Sequence, residues 1–287
     1  MASGLIAVTG ATGAVGRRVA ELLAARGKRL RLLVRDPDRA PRLAAETRRI
    51  GGYGARGDMR AALEGVETLF LVPAHESADR VDQHIAAVDT AVEAGVRRIV
   101  YLSFVAARPD STFTLGRDHW ATEERIRASG VAWTFPRMNL YADFLPQMVS
   151  PAGVIEGPAD DGRAAFVARA DVADVSAALI AEAGHEGQAV DVTGPEALTL
   201  AEVAERMSRL TGKRITFRDQ TLEEAYLSRA SYGAPDWQVT AWVSTYTAIA
   251  AGDLTHGSEA VPRLAGHPAT SLEEVLRAQP HALDHVQ

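Results

Sequence analysis

The sequence predicts an α/β protein: a doubly wound parallel sheet over residues 1–150, and a smaller α+β lobe over 151–287 from which some segments return to the sheet. Three observations carry this. Short apolar, β-branched runs alternate with helical stretches through the first half, the rhythm of a parallel sheet covered on both faces. With 287 residues and 47% apolar content, the chain is able to bury a large core. After about residue 145 the texture changes to short strands and capped helices richer in glycine and proline.

The elements follow in order. "LIAVTG" (5–10) is an apolar run ending in glycine, and the stretch after it repeats apolar residues at Val19, Leu22 and Leu23, a helical spacing. "RLRLLVRD" (29–36) reads as a second strand, a turn at Pro37 follows, and "DRAPRLAAE" (38–46) is expected to be helical. "ETLFLVPA" (67–74), "VRRIVYLSF" (96–104) and "GVAWTFPR" (130–137) are further strands. Between them lie an amphipathic helix, "ADRVDQHIAAVDTAVEAG" (78–95), closed by Gly95, and a second helix, "GRDHWATEERIRASG" (116–130). In the later half, "TGPEALTLAEVAERMSRLTGKRITFRDQTLEEAYLSR" reads as strand, capped helix, strand, helix, and "PHALDHVQ" as a loose tail.

Composition narrows the function classes. The formal charge of −6 argues against a general nucleic-acid or membrane-surface binder, which needs summed positive charge to meet phosphates. There is no cysteine, which removes disulfides, thiolate nucleophiles and Cys-based metal sites. "MASGLIAVTG" lacks a cationic region followed by a long apolar stretch, and no run of about 18 apolar residues occurs, so a cytoplasmic location is expected. The histidines include no His-Glu-x-x-His, and His281 with His285 has metal-like spacing only in the tail, so no metal is expected. Small molecules are the expected partners, with the chain a monomer or homodimer.

The turn "GATGAVG" (Gly10, Ala11, Thr12, Gly13, Ala14, Val15, Gly16) lies between a strand and a helix, where its chemistry points to a dinucleotide. Gly10 permits the tight turn, Gly13 lets backbone N–H groups approach a pyrophosphate, and Gly16 lets helix and strand pack closely. The helix N-terminus adds about half a positive charge. At the end of the second strand, Arg35 precedes Asp36. A guanidinium there forks onto a 2′-phosphate and favours NADPH, whereas a carboxylate reads the 2′-hydroxyl of NADH; Asp36 keeps that alternative open. Asp58, in "GARGDMRAAL", is placed either to accept from an adenine amino group or to cap the following helix.

Together "VTGATGAVGRR", "VRDPDRA", "ARGDM", "YLSFVAA", "RIRASGVAWTFPRMNLYADFL", "EAGHEGQAVDVTG" and "LAGHPATSLEEVL" resemble the NmrA-like atypical short-chain dehydrogenase/reductases. The likeness is closest to the branch containing NADPH:quinone reductase and triphenylmethane reductase, and it runs from Leu5 to about Arg277. The resemblance implies a Rossmann domain holding NADPH and a C-terminal lobe forming a cleft for a planar, often aromatic, acceptor. It places the pyrophosphate at Gly10–Gly16, the 2′-phosphate at Arg35 and the adenine at Asp58. It lays Val72, Pro73, Ala74 and His75 along the ribose and nicotinamide, and puts Ser103 near the nicotinamide.

Ordinary short-chain dehydrogenases use a Tyr with a Lys four residues on. The only lysines are Lys28 and Lys213, preceded at that distance by Ala24 and Arg209, so the dyad is missing. Set against the pattern, the Tyr position falls on Leu115 and the Lys position on His119. His119 is a candidate proton donor, since imidazole titrates near neutrality; packing beside the cofactor is the alternative. Glu123, one turn on, either orients that ring or forms an exposed ion pair. Quinones and cationic dyes need little acid catalysis, so positioning against the nicotinamide suffices for them. Asn139, Tyr141 and Phe144 are candidate substrate contacts, and Trp237 and Trp242 either wall a flat substrate or fill the small lobe's core. The expected function is hydride transfer from NADPH to a quinone or similar conjugated acceptor. A redox-sensing regulator that binds NADP(H) and a biosynthetic reductase of an aromatic or polyketide intermediate are the alternatives.

Overall fold

The computed structural model describes residues 4–287, and its elements arise from the apolar patterning above. In chain order they are β1 (Leu5–Thr9), α1 (Ala14–Ala25), β2 (Leu30–Val34), β3 (Glu46–Arg49), α2 (Arg56–Leu63), β4 (Val66–Leu71), α3 (Arg80–Glu93), β5 (Arg98–Tyr101), β6 (Ser103–Phe104), α4 (Thr114–Ala128) and β7 (Ala132–Met138). Then come β8 (Val154–Gly157), β9 (Arg163–Ala164), α5 (Arg169–Ala181), β10 (Gln188–Val192), β11 (Leu198–Thr199), α6 (Leu200–Thr211), β12 (Thr216–Asp219), α7 (Leu222–Ala230), α8 (Asp236–Ala250) and α9 (Leu272–Arg277).

The main sheet is parallel throughout and runs β10-β7-β5-β4-β1-β2-β3, with β6 also pairing to β7. β1 and β2 are buried along their whole length, which explains their nearly unbroken apolar runs. From β1 the chain moves outward through β2 and β3, then returns to β4 on the other side of β1. The resulting switch point lies between the carboxyl ends of β1 and β4, where ligands of such sheets bind.

One apolar layer joins α1 and α5 to one face of the sheet; the opposite layer joins α2 and α3 through Met59, Leu63, Val88 and Tyr101. A third core holds the second lobe together around Ile155, Leu200, Met207, Ile249, Leu272 and Leu276. Helices α6, α7 and α9 each begin with a capping box, at Thr199/Glu202, Thr221/Glu224 and Ser271/Glu274. Between lobes the chain crosses back: β10 joins the main sheet, α5 packs on its face, and the helical turn Val261–Ala265 packs on α5.

Two expectations fail. Residues 38–46 do not form a helix; a single 3₁₀ turn, Pro37–Arg39, is followed by extended chain into the exposed edge strand β3. Pro41 lacks the N–H a helix needs and disfavours helical geometry at Ala40. The terminal residues are not loose. Leu283 and Val286 are buried in the second core, the Gln287 N–H donates to Pro151 O (3.0 Å), and His285 Nε2 lies 2.8 Å from Val149 O. Two apolar residues three apart carried too little periodicity to reveal this. Among the described residues, no helix is long and apolar enough to cross a membrane.

Candidate active site

The glycine turn opens the site. Gly10 has φ +64°, a conformation that glycine adopts without strain. At Gly16 a Cβ would stand 2.4 Å from Gly10 O, so only glycine allows α1 to lie this close to the end of β1. Gly13 differs: its backbone is extended, and an added Cβ would meet only Gly10 O, at 3.4 Å. Its open side faces the cleft, which Gly10, Ala14, Val15 and Gly16 also line. Helix α1 has no side-chain cap and no acidic residue in its first turn. Its first N–H groups and the positive end of its dipole are therefore left to an anion from the cleft, an arrangement that suits a pyrophosphate. Ala11 is buried and, with Thr12, lies outside the cleft lining.

Arg35 follows β2 at the carboxyl edge of the sheet, is exposed, and has no ion-pair partner among the described residues. Asp36 is occupied: its Oδ1 accepts from the Asp38 N–H (3.1 Å) and caps the 3₁₀ turn. The unpaired Arg35 guanidinium suits a 2′-phosphate. Asp58 lies in the first turn of α2, whose N-cap is Ala55, and its Oδ2 accepts from Gly51 N–H (3.2 Å). It therefore ties down the loop after β3 rather than capping the helix. Arg35 and Asp58 both sit outside the lining of the main cleft.

The loop after β4 is held from below by groups that sequence spacing did not single out. Thr9 Oγ1 donates to Phe70 O (3.1 Å) and accepts from Val72 N–H (2.8 Å) and from the Tyr53 hydroxyl (2.8 Å). The Ala74 N–H donates to His84 Nε2 (2.9 Å), which leaves the His84 proton on Nδ1, 2.9 Å from Thr122 Oγ1. Burial, with Arg80 nearby, pushes the His84 pKa down to about 3. Arg80 donates from Nε to Ala74 O (3.1 Å), from Nη1 to Asp118 Oδ2 (3.1 Å) and from Nη2 to His119 Nε2 (3.3 Å). Arg80 and His84 share the buried stripe of α3 with Ala87, Val88 and Ala91. Two polar residues at apolar positions were the signal that sequence reading passed over.

His119 lines the cleft, but its chemistry differs from the expected proton donor. Its Nε2 faces the Arg80 guanidinium, which only donates, so Nε2 is the unprotonated nitrogen and the Nδ1 proton points at the Tyr101 hydroxyl (3.0 Å). Burial first, then the charge of Arg80, holds its pKa well below the ordinary value. Ser103 is likewise corrected: it is fully buried, off the cleft, and donates to Glu123 Oε1 (2.6 Å). Glu123 neither orients His119 nor sits at the surface. It is fully buried and accepts two bonds from Arg137 (2.8 and 2.6 Å) and one from Arg127 (2.9 Å).

From the glycine turn the cleft, about 1190 Å³, continues past Val72–His75 into the second lobe. Its far walls are largely aromatic. Phe104 and Phe113 pack with centroids 4.9 Å apart, and Tyr232 meets Trp242 edge-on at 6.0 Å. Trp242 Nε1 donates across the mouth to Glu76 Oε2 (3.3 Å), linking α8 to the loop after β4. Tyr141 and the half-exposed Phe144 line the cleft as expected; Trp237 does not. Asn139 borders it, but its amide is used inside the protein: Nδ2 donates to Leu254 O (2.9 Å) and Oδ1 accepts from Leu140 N–H (2.8 Å). Leu115, at the position of the missing Tyr, presents only carbon.

A family described as NAD(P)H-binding matches residues 10–183. Quinone oxidoreductase 2 of Escherichia coli (strain K12) is 35% identical over 279 residues, covering 94% of this chain and 96% of that protein. The crystal structure of the E. coli NADPH-dependent quinone oxidoreductase complexed with NADPH has a TM-score of 0.87 at 32% identity, covering 96% of this chain and 99% of that one. The Citrobacter sp. triphenylmethane reductase complexed with NADP(H) has a TM-score of 0.82 at 29% identity, covering 95% and 99%.

Proposed function

This chain belongs to the NAD(P)H-binding family, and from that premise we propose that it is an NADPH-dependent reductase that delivers hydride to a quinone or a similar planar, conjugated acceptor. The observation that carries the reading is the continuity of the cleft. One wall is an uncapped helix N-terminus behind a glycine turn, and the other is aromatic. A pyrophosphate and a flat acceptor are thereby brought to one space. The relatives reported above, named for quinone and triphenylmethane reduction, support the choice of acceptor.

Bound NADPH supplies the hydride; the protein supplies binding, alignment and charge. Gly10, Gly13 and the first turn of α1 would hold the pyrophosphate, Arg35 the 2′-phosphate, and Asp58 the adenine. Val72, Pro73 and Ala74 form the floor for the ribose and nicotinamide. That floor is kept in register by Thr9, His84 and Arg80. The aromatic walls, with Tyr141 and Phe144, would hold a planar acceptor beside the cofactor, and the gain would be one of proximity and orientation.

Neither His119 nor Ser103 is arranged to hand over a proton to a substrate. His119 acts as a positioning residue that holds Arg80, and Ser103 and Asn139 are structural. With an acceptor of high electron affinity, hydride addition would need little acid catalysis, and water reaching the cleft would supply the remaining proton. Such an enzyme works where NADPH is kept reduced, and we infer a cytoplasmic location and a monomer or homodimer.

The test follows NADPH absorbance with a panel of quinones, triphenylmethane dyes and simple ketones. Rapid oxidation with the first two classes and little with ketones is expected. Tight NADPH binding with no oxidation by any acceptor would overturn the proposal and leave a sensor.

A further inference from the structure

Helices α1 and α5 lie against each other in a register that their ion pairs reveal. Arg18 pairs with Asp174 and Arg26 with Glu182, so both chains advance by the same eight residues and run in the same direction. Lys28 Nζ, donating to Ala181 O at the far end, agrees. Followed back from the Arg18–Asp174 pair, the register brings Arg169, the first residue of α5, beside Gly13, the N-cap of α1. Both border the same cleft.

The Arg169 guanidinium lies over the Tyr141 ring, 5.0 Å from its centroid, and has no carboxylate partner and no hydrogen-bond acceptor among the described residues. Asp143 accepts from the backbone N–H of Arg169 (2.8 Å), not from its guanidinium. The other arginines on the cleft are committed. Arg80 bonds Ala74 O, Asp118 and His119; Arg229 bonds Gln220, Ala225 O, Ser228 and Glu156 O. Arg169 therefore keeps its planar set of donors for the cleft, and the aromatic ring beneath limits the ordering that binding requires.

We propose that Arg169 binds the cofactor's pyrophosphate from the side opposite the glycine turn, so that the phosphates lie between the N–H groups of α1 and a guanidinium carried by α5. This rests on the reading that the cleft takes NADPH. A fork of N–H donors matches two phosphate oxygens, and the turn by itself offers only backbone dipoles. The fold would thus use the return of the chain from the second lobe to complete the cofactor site.

The experiment measures binding rather than turnover. NADPH affinity, by its fluorescence, and 2′-AMP affinity, by calorimetry, are compared in the wild-type protein, Arg169→Gln and Arg169→Lys. Arg169→Gln is expected to weaken NADPH about 10- to 100-fold and Arg169→Lys less, because the charge stays and the fork is lost. Affinity for 2′-AMP, which has no pyrophosphate, should change less than twofold in both. Wild-type NADPH affinity in Arg169→Gln would overturn the proposal; if KM for a sulfonated quinone then rose, the guanidinium would be reading an anionic acceptor instead. An equal loss of 2′-AMP binding would also overturn it, as a general disturbance of the site. Failure of the wild-type protein itself to bind NADPH would sink the underlying function, a result distinct from either.

Discussion

Alanine at Gly16 and alanine at Gly13 separate what the turn does for folding from what it does for the cofactor. At Gly16 the new Cβ would lie 2.4 Å from Gly10 O, 2.6 Å from Gly10 C and 2.9 Å from Thr9 O, all backbone atoms with no rotamer to yield. Ordinary contact needs about 3.4 Å or more, so α1 must move away from β1 by about 1 Å, against a packed layer that includes Val15, Val19 and Leu23. Overpacking of this kind costs about 1–3 kcal/mol, which in a chain of this size lowers the melting temperature by about 2–10 °C. Gly13→Ala should leave melting within about 1 °C, because its φ of −94° and ψ of 170° suit any residue and its Cβ meets nothing closer than 3.4 Å. The methyl group would instead stand where phosphate must approach the N–H groups, and NADPH affinity should fall about tenfold or more, a loss of about 1.4 kcal/mol. Thermal melting without cofactor and fluorescence titration with NADPH read the two effects. Wild-type affinity in Gly13→Ala, or wild-type melting in Gly16→Ala, would refute the division of labour.

Other expectations follow from the same geometry. Arg35→Ala should weaken NADPH about 10- to 100-fold, the worth of a charge-assisted bond, and NADH less than threefold; equal losses in titration would remove the 2′-phosphate from Arg35. Because His119 is held neutral by burial and by Arg80, quinone turnover should show no His119-dependent inflection between pH 6 and 8, and an inflection lost in His119→Gln would restore a proton-transfer role. His84 keeps its neutral form down to about pH 3 when folded but titrates near 6.5 when unfolded, so the unfolded chain takes up the extra proton and stability falls as pH drops below 6.5. Urea unfolding between pH 6 and 4.5 should therefore be less steeply pH-dependent in His84→Gln, by about 1 kcal/mol per pH unit, and equal slopes would mean that folded His84 protonates. Leu283→Ala should cost about 2–4 kcal/mol in the same assay, whereas a change below about 0.5 kcal/mol would mean that the terminal segment is not docked.

What could be read from the amino-acid order alone were features with a local cause. The apolar runs of β1, β2 and β4 and the spacing along α1, α3 and α4 state their own periods. The glycines of the first turn declare a backbone that side chains would obstruct. Counting lysines was enough to remove the Tyr-Lys dyad, and Arg35 beside Asp36 posed the choice of cofactor. Family resemblance extended these readings to Asp58 and the loop from Val72 to His75.

The tertiary structure decided everything that depends on partners distant in the chain. Arg80 meets His119 across 39 residues, Asn139 meets Leu254 across 115, and Arg18 meets Asp174 across 156. No spacing rule encodes such pairs, because each is made by two elements that approach only after the sheet has assembled. For that reason His119 looked in sequence like a proton donor at neutral pH and in the fold is a buried neutral acceptor from arginine. Ser103 and Asn139 looked like site hydroxyl and amide and are spent on internal bonds. By the same physics Arg169, unremarkable in its own stretch of chain, is carried by α5 to the mouth of the glycine turn. The sequence by itself determined a dinucleotide turn on a parallel sheet; only the packing of α3, α4 and α5 around it decided which polar groups still face the cleft.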